Sequence, residues 1–106
     1  MFDELCEELH ATAVEKGFWN EEINDIFITK QLMMIVSEAV EVMEAIRKDK
    51  GEAEVADEMA DIIIRTLDLW EGLVENGYVG DHKLQIALNN KMDVNKSRPQ
   101  KHGVRF

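Results

Sequence analysis

Pro99 is the only proline in the 106 residues, so nothing upstream imposes the ring clash and missing N–H that break a helix. No stretch alternates apolar and polar residues with period two. Apolar residues recur at three- and four-residue steps instead, the spacing of one helical face. Phe2, Leu5, Cys6, Leu9 and Ala13 mark a first helix, stopped by Gly17 in the left-handed conformation. A second runs from about Ile23 or Asp25 to Lys48, with Ile26, Phe27, Leu32, Met33, Val36, Val40, Met43 and Ile46 facing inward. The turn Lys48-Asp49-Lys50-Gly51 ends it. A third carries Val55, Met59, Ile62, Ile63, Leu67, Trp70 and Val74 to an Asn76-Gly77 terminus. A fourth, with Asp81 as N-cap, turns Leu84, Ala87, Leu88 and Met92 inward until Pro99 closes it. The expected fold is all-α: one domain over 1–106, a four-helix antiparallel bundle.

The apolar stripes of helices two and three spread over more than one face. A chain this small hides such a surplus against another subunit, so a homo-oligomer is expected. No run of apolar residues exceeds Leu32 to Val36, far short of the roughly 18 residues of a membrane span. The segment Met1 to Glu8 is acidic where a signal peptide is basic, and the lone Cys6 permits no internal disulfide. A cytoplasmic protein without membrane partners is expected. Charge also bears on partners: residues 1–81 hold 21 acids and 6 bases, net −15, whereas residues 82–106 hold 1 acid and 6 bases, net +5. An acidic body argues against broad nucleic-acid binding, whose affinity comes from Lys and Arg on phosphates.

Helix two contains Glu38-Ala39-Val40-Glu41, and helix three Glu58-Met59-Ala60-Asp61. Spacing i, i+3 puts each pair on one face, where like charges repel unless a cation lies between them. Glu41 with Glu58 and Glu38 with Asp61 share the sequence midpoint 49.5, inside the turn. In an antiparallel hairpin the partners then stand at equal height, and four carboxylates can face one another. Their apolar flanks, Ile35 to Met43 and Ala56 to Ile64, suggest burial, and a divalent ion is the usual remedy for buried unpaired carboxylates. Oxygen-only ligands favour Mg²⁺ or Mn²⁺ over zinc or copper. A di-iron bundle would place His three residues after Glu, and none of His10, His82 or His102 stands so. Asp68, seven residues after Asp61, shares its face two turns away, as an outer support of the site. In the basic tail, Lys91, Lys96 and Arg98 are candidate phosphate contacts. Trp19 is either a platform for a base or a plug closing helix one on helix two.

The Glu-x-x-Glu and Glu-x-x-Asp pairs resemble the signature of the all-α nucleoside triphosphate pyrophosphatases, in their MazG-like branch. Lys16-Gly17-Phe18-Trp19, Lys30 with Leu32 ahead of Ser37-Glu38, Ala60-Asp61-Ile62-Ile63-Ile64-Arg65, and the tail from Asn90-Lys91 through Asn95-Lys96-Ser97-Arg98-Pro99 to His102-Gly103 are similar to that branch as well. The resemblance implies hydrolysis of (deoxy)nucleoside triphosphates between the α and β phosphates, giving monophosphate and pyrophosphate in nucleotide-pool house-cleaning. It implies Mg²⁺ on Glu38, Glu41, Glu58 and Asp61, with Glu41 or Glu38 activating water. Lys30 and Asn95 join Trp19, Lys91 and Arg98 as substrate contacts, and active sites are completed by neighbouring chains in a tetramer ahead of a dimer. A phosphoribosyl-ATP pyrophosphatase and a non-catalytic helical interaction module are the alternatives. With no glycine-rich phosphate loop in the sequence, metal and basic side chains must hold the polyanion.

Overall fold

The computed structural model describes residues 1–80 and 83–99, all of whose regular structure is helical: α1 (Phe2–Glu15), α2 (Asp25–Arg47), α3 (Glu52–Glu75) and α4 (Leu84–Ser97). No helix among the described residues is long and apolar enough to cross a membrane. Asp81, expected to cap the fourth helix, lies outside the described residues, as do His82 and His102-Gly103. Lys83 occupies the N-cap of α4, and Asp3 on α1 accepts the Gln85 N–H at 3.4 Å.

Helix ends follow local chemistry. At the start of α2 the Asn24 side chain accepts the Phe27 N–H at 3.0 Å, satisfying one of the donors a helix leaves unpaired. After α1, Gly17 at φ +87° donates to Val14, and Phe18 donates to Ala13. These are the paired bonds of a Schellman stop, which requires a left-handed residue and so suits glycine. The α2 terminus repeats the pattern with Asp49 at φ +51° as the left-handed residue. Arg98 is extended, as the residue before proline prefers.

Extensive contacts join α2 to α3 and α1 to α3, while α4 rests on α1 through a smaller contact. Only the four-residue turn at 48–51 is short enough to force its two helices together. The longer connections at 16–24 and 76–83 let α1 and α4 pack beyond their sequence neighbours. On α3, Leu67 and Leu69 point about 200° apart, so the helix feeds two cores. Leu67 packs with Cys6 and Leu84, flanked by Phe2, Leu9, Trp70 and Leu88; Leu69 packs with Phe27 and Ile28, flanked by Trp19, Ile23, Ile35 and Leu73.

Several residues expected inside are not buried by this chain. Met33 is 59% exposed, Met43 60%, Ile46 62% and Ile63 52%, with Val36, Val40, Met59 and Met92 also exposed. The reason is geometric: α2 has an extensive contact with α3 alone, which leaves its opposite apolar side uncovered.

Candidate active site

The tight α2–α3 hairpin sets the two carboxylate pairs side by side. Ligand oxygens of Glu38, Glu58 and Asp61 all lie within 4.8 Å of one another, and Glu41 is hydrogen-bonded to Glu58. The burial expected around all four applies to half of them: Glu38 and Glu58 are half-buried, whereas Glu41 and Asp61 are exposed in the single chain. The shared proton with Glu41 pushes Glu58 up to about 7; desolvation and the charges of Glu41, Asp61 and Glu38 act in the same direction.

Two oxygens of this group, Glu38 Oε2 and Glu58 Oε2, are buried without a hydrogen-bond partner. An enclosed carboxylate oxygen with no donor is costly, and a cation is the partner its chemistry calls for. The donor set is all oxygen and fits a hard divalent ion. Arg65, one turn after Asp61, supplies a protein cation: its Nε donates to Glu38 Oε1 at 3.0 Å. The sequence signal for it is the seven-residue spacing from Glu58, which returns to the same helical face.

Beside the carboxylates lies a cavity of about 490 Å³ between α1, α2 and α3, within the usual range for small-molecule sites. Glu38, Asp61, Arg65 and Asp68 line it together with Lys16 and Lys30, and Leu9, Ala13, Phe18, Met34 and Ile64 form its apolar walls. Lys30 Nζ sits 3.5 Å from Glu21 Oε2 and is mostly exposed.

Trp19 does not line this cavity. Its ring packs edge-on against His10 at 4.7 Å and against Phe27 at 5.2 Å, over Gly72, which is the position of a plug between α1, α2 and α3. Its indole N–H is donated to Asp68 Oδ1 at 3.0 Å. The buried His10 also reaches Asp68 Oδ1, through Nδ1 at 2.8 Å, and Glu75 Oε2 through Nε2 at 3.0 Å. Each ring nitrogen faces a carboxylate oxygen, which accepts, so a nitrogen that carries a proton is the donor of its pair. Sequence reasoning missed this role for His10. The available signal is its place on the Cys6, Leu9, Ala13 face of the first helix, where a lone polar residue needs a partner.

Lys91, Asn95 and Arg98 are exposed on or just after α4, and none of them lines the cavity of its own chain. Cys6, by contrast, is fully buried, and burial above all, then the charges of Glu71, Asp3 and Glu7, pushes its thiol up to about 11. That is the environment of a core residue, not a nucleophile.

Compared with known proteins, the chain matches no family model, no curated protein sequence and no solved structure.

Proposed function

We propose that the chain is a Mg²⁺-dependent nucleoside triphosphate pyrophosphohydrolase of the MazG-like kind, cleaving between the α and β phosphates. The observation that carries this reading is the meeting of two i, i+3 carboxylate pairs across the hairpin, with Glu38 Oε2 and Glu58 Oε2 enclosed and unpartnered, at the edge of a cavity that also presents Lys16, Lys30 and Arg65.

Glu38, Glu41, Glu58 and Asp61 would hold the ion, Mg²⁺ before Mn²⁺. A bound divalent ion neutralises phosphate charge and lowers the pKa of water at the site. Glu41 is exposed; with the ion displacing the proton it shares with Glu58, it would be free to take a proton from that water, with Glu38 the rival base. Lys16 and Lys30 at the cavity wall bind phosphate oxygens, and Arg65 can exchange its carboxylate partner for a phosphate once the ion offsets Glu38.

Assembly belongs to the same reading. Met33, Val36, Val40 and Met43 form an uncovered i, i+3, i+7, i+10 seam on the side of α2 turned away from Glu38 and α3. A homo-oligomer, tetramer ahead of dimer, would cover it and would let Lys91, Asn95 and Arg98 of one subunit serve the cavity of another.

The test is a panel of ribo- and deoxyribonucleoside triphosphates with Mg²⁺, following monophosphate and pyrophosphate together. Equimolar release of the two, lost on chelation and in Asp61→Asn, is the expected result. Orthophosphate as the first product, or no turnover with any nucleotide, would overturn the assignment.

A further inference from the structure

The cavity has a polar feature at the end away from the carboxylate cluster. Asp68 lies seven residues beyond Asp61 on α3, roughly 10 Å along the axis, and both residues line the cavity. Leu9 and Ala13 from α1, Met34 from α2 and Ile64 from α3 give the cavity apolar walls, and on α3 Arg65 is the charged residue between the two carboxylates. Asp68 is held rigidly, because its Oδ1 accepts from both His10 Nδ1 and Trp19 Nε1. Two donors fill the lone pairs of that oxygen. The other oxygen, Oδ2, has no partner among the described residues and is not one of the enclosed orphan oxygens. The side chain keeps 16% of its surface accessible. The result is a fixed acceptor with no donor, at the wall of a largely apolar slot.

We propose that Asp68, oriented by His10 and Trp19, determines base specificity in this cavity, selecting nucleotides whose base presents an amino group. The proposal rests on the nucleotide reading of the carboxylate cluster. With phosphate at Glu38 and Asp61, the separation to Asp68 corresponds to the reach from the α-phosphate to the far edge of a base, whose flat faces suit the apolar walls. A carboxylate accepts from the exocyclic amino group of cytosine, the pairing Asp and Glu use when they read that base elsewhere, and adenine offers the same donor. Uracil and thymine turn a carbonyl oxygen toward that position, and two acceptors facing each other are left unpaired. A site built around a fixed hydrogen-bonding group discriminates strongly against the analogue that cannot complete the bond. His10 and Trp19 act on the base only through Asp68 in this scheme and are positioning residues.

Asp68→Asn provides the test. The amide oxygen can still accept from His10 and Trp19, while an NH₂ group replaces Oδ2, so an acceptor becomes a donor with little change of shape. Two measurements run in parallel on wild type and variant: kcat/KM for cytidine, adenosine, uridine and thymidine triphosphates with Mg²⁺, and calorimetric binding of cytidine and uridine monophosphates. Wild type should favour the amino-bearing bases by on the order of 10-fold or more, and Asp68→Asn should reverse or erase that order while keeping its helical circular dichroism. An unchanged base ratio in a folded variant overturns the assignment of Asp68 but leaves the hydrolase reading intact. If wild type cleaves no triphosphate, the hydrolase reading fails, and the monophosphates still decide on Asp68: a cytidine preference inverted in the variant sustains it. Equal or absent binding of the two by wild type overturns it, and this comparison also decides if the variant fails to fold.

Discussion

Glu58 on α3 and Glu41 on α2 share a hydrogen bond between their carboxyl groups, which requires a proton and holds Glu58 at about 7 rather than at its ordinary value near 4.5. The neighbouring charges of Asp61 and Glu38 resist its ionisation further. The metal-free hairpin thus folds around a repulsion that protonation relieves.

The sign of the pH effect follows. Between pH 4.5 and about 7 the native state keeps a proton on Glu58 that the unfolded chain has released, so this group's contribution to stability falls as pH rises through that window and stays low above it. Glu58→Gln should remove that part of the decline and leave the metal-free protein at least as stable as wild type at pH 8. Thermal melts across the range, with and without Mg²⁺, check both parts: added Mg²⁺ should raise the wild-type midpoint at pH 8 and leave that of Glu58→Gln unmoved. A variant that melts well below wild type at pH 8 would make Glu58 a structural residue.

Gly72 admits the Trp19 ring. A Cβ built at position 72 falls among the outer ring atoms Cη2, Cζ2 and Cζ3, and the ring is confined by His10 and Phe27. Gly72→Ala should therefore destabilise the fold by about 1–3 kcal/mol, an overpacking penalty, although alanine has the better helix propensity. Denaturant unfolding gives the value. A stabilised variant would mean that the Trp19 ring is free to move aside.

Cys6 should be chemically silent in the folded protein. With its thiol pushed up to about 11, the reactive thiolate at pH 8 is scarcer than in an unfolded chain by on the order of 100-fold. A thiol reagent such as Ellman's should label the native protein at least that much more slowly than the protein in guanidinium. Equal rates would show that the α1–α3–α4 core opens freely.

The α2 seam should place the chain in an assembly. Light scattering at micromolar concentration is expected to give a multiple of 12.2 kDa. Val40→Glu should reduce that multiple, because a charge in the middle of the seam has no partner once covered. A monomer mass for wild type would remove the assembly and, with it, a role for Lys91, Asn95 and Arg98 in a neighbour's cavity.

Helix number and most helix ends were legible in the residues because their causes are local. Gly17, the 48–51 turn, Asn76-Gly77 and Pro99 act on the chain within a few positions of themselves, and the helices stop where those residues stand. The proximity of Glu38, Glu58 and Asp61, with Glu41 against Glu58, was legible for a related reason: a four-residue turn leaves two helices of equal rise little choice of register, so a shared midpoint becomes a shared height.

What lies across the longer connections was not legible. Periodicity places His10 and Asp68 on faces, but it does not say that α1 crosses α3 at the height where they meet, nor that Trp19 turns inward to join them while Phe18 lines the cavity. It also marks Met33, Val40 and Met43 as apolar without saying whether this chain covers them. Local rules determine where a helix begins, ends and turns its side chains. Which of its faces finds a partner is a property of how whole helices cross, and only the tertiary structure decides that.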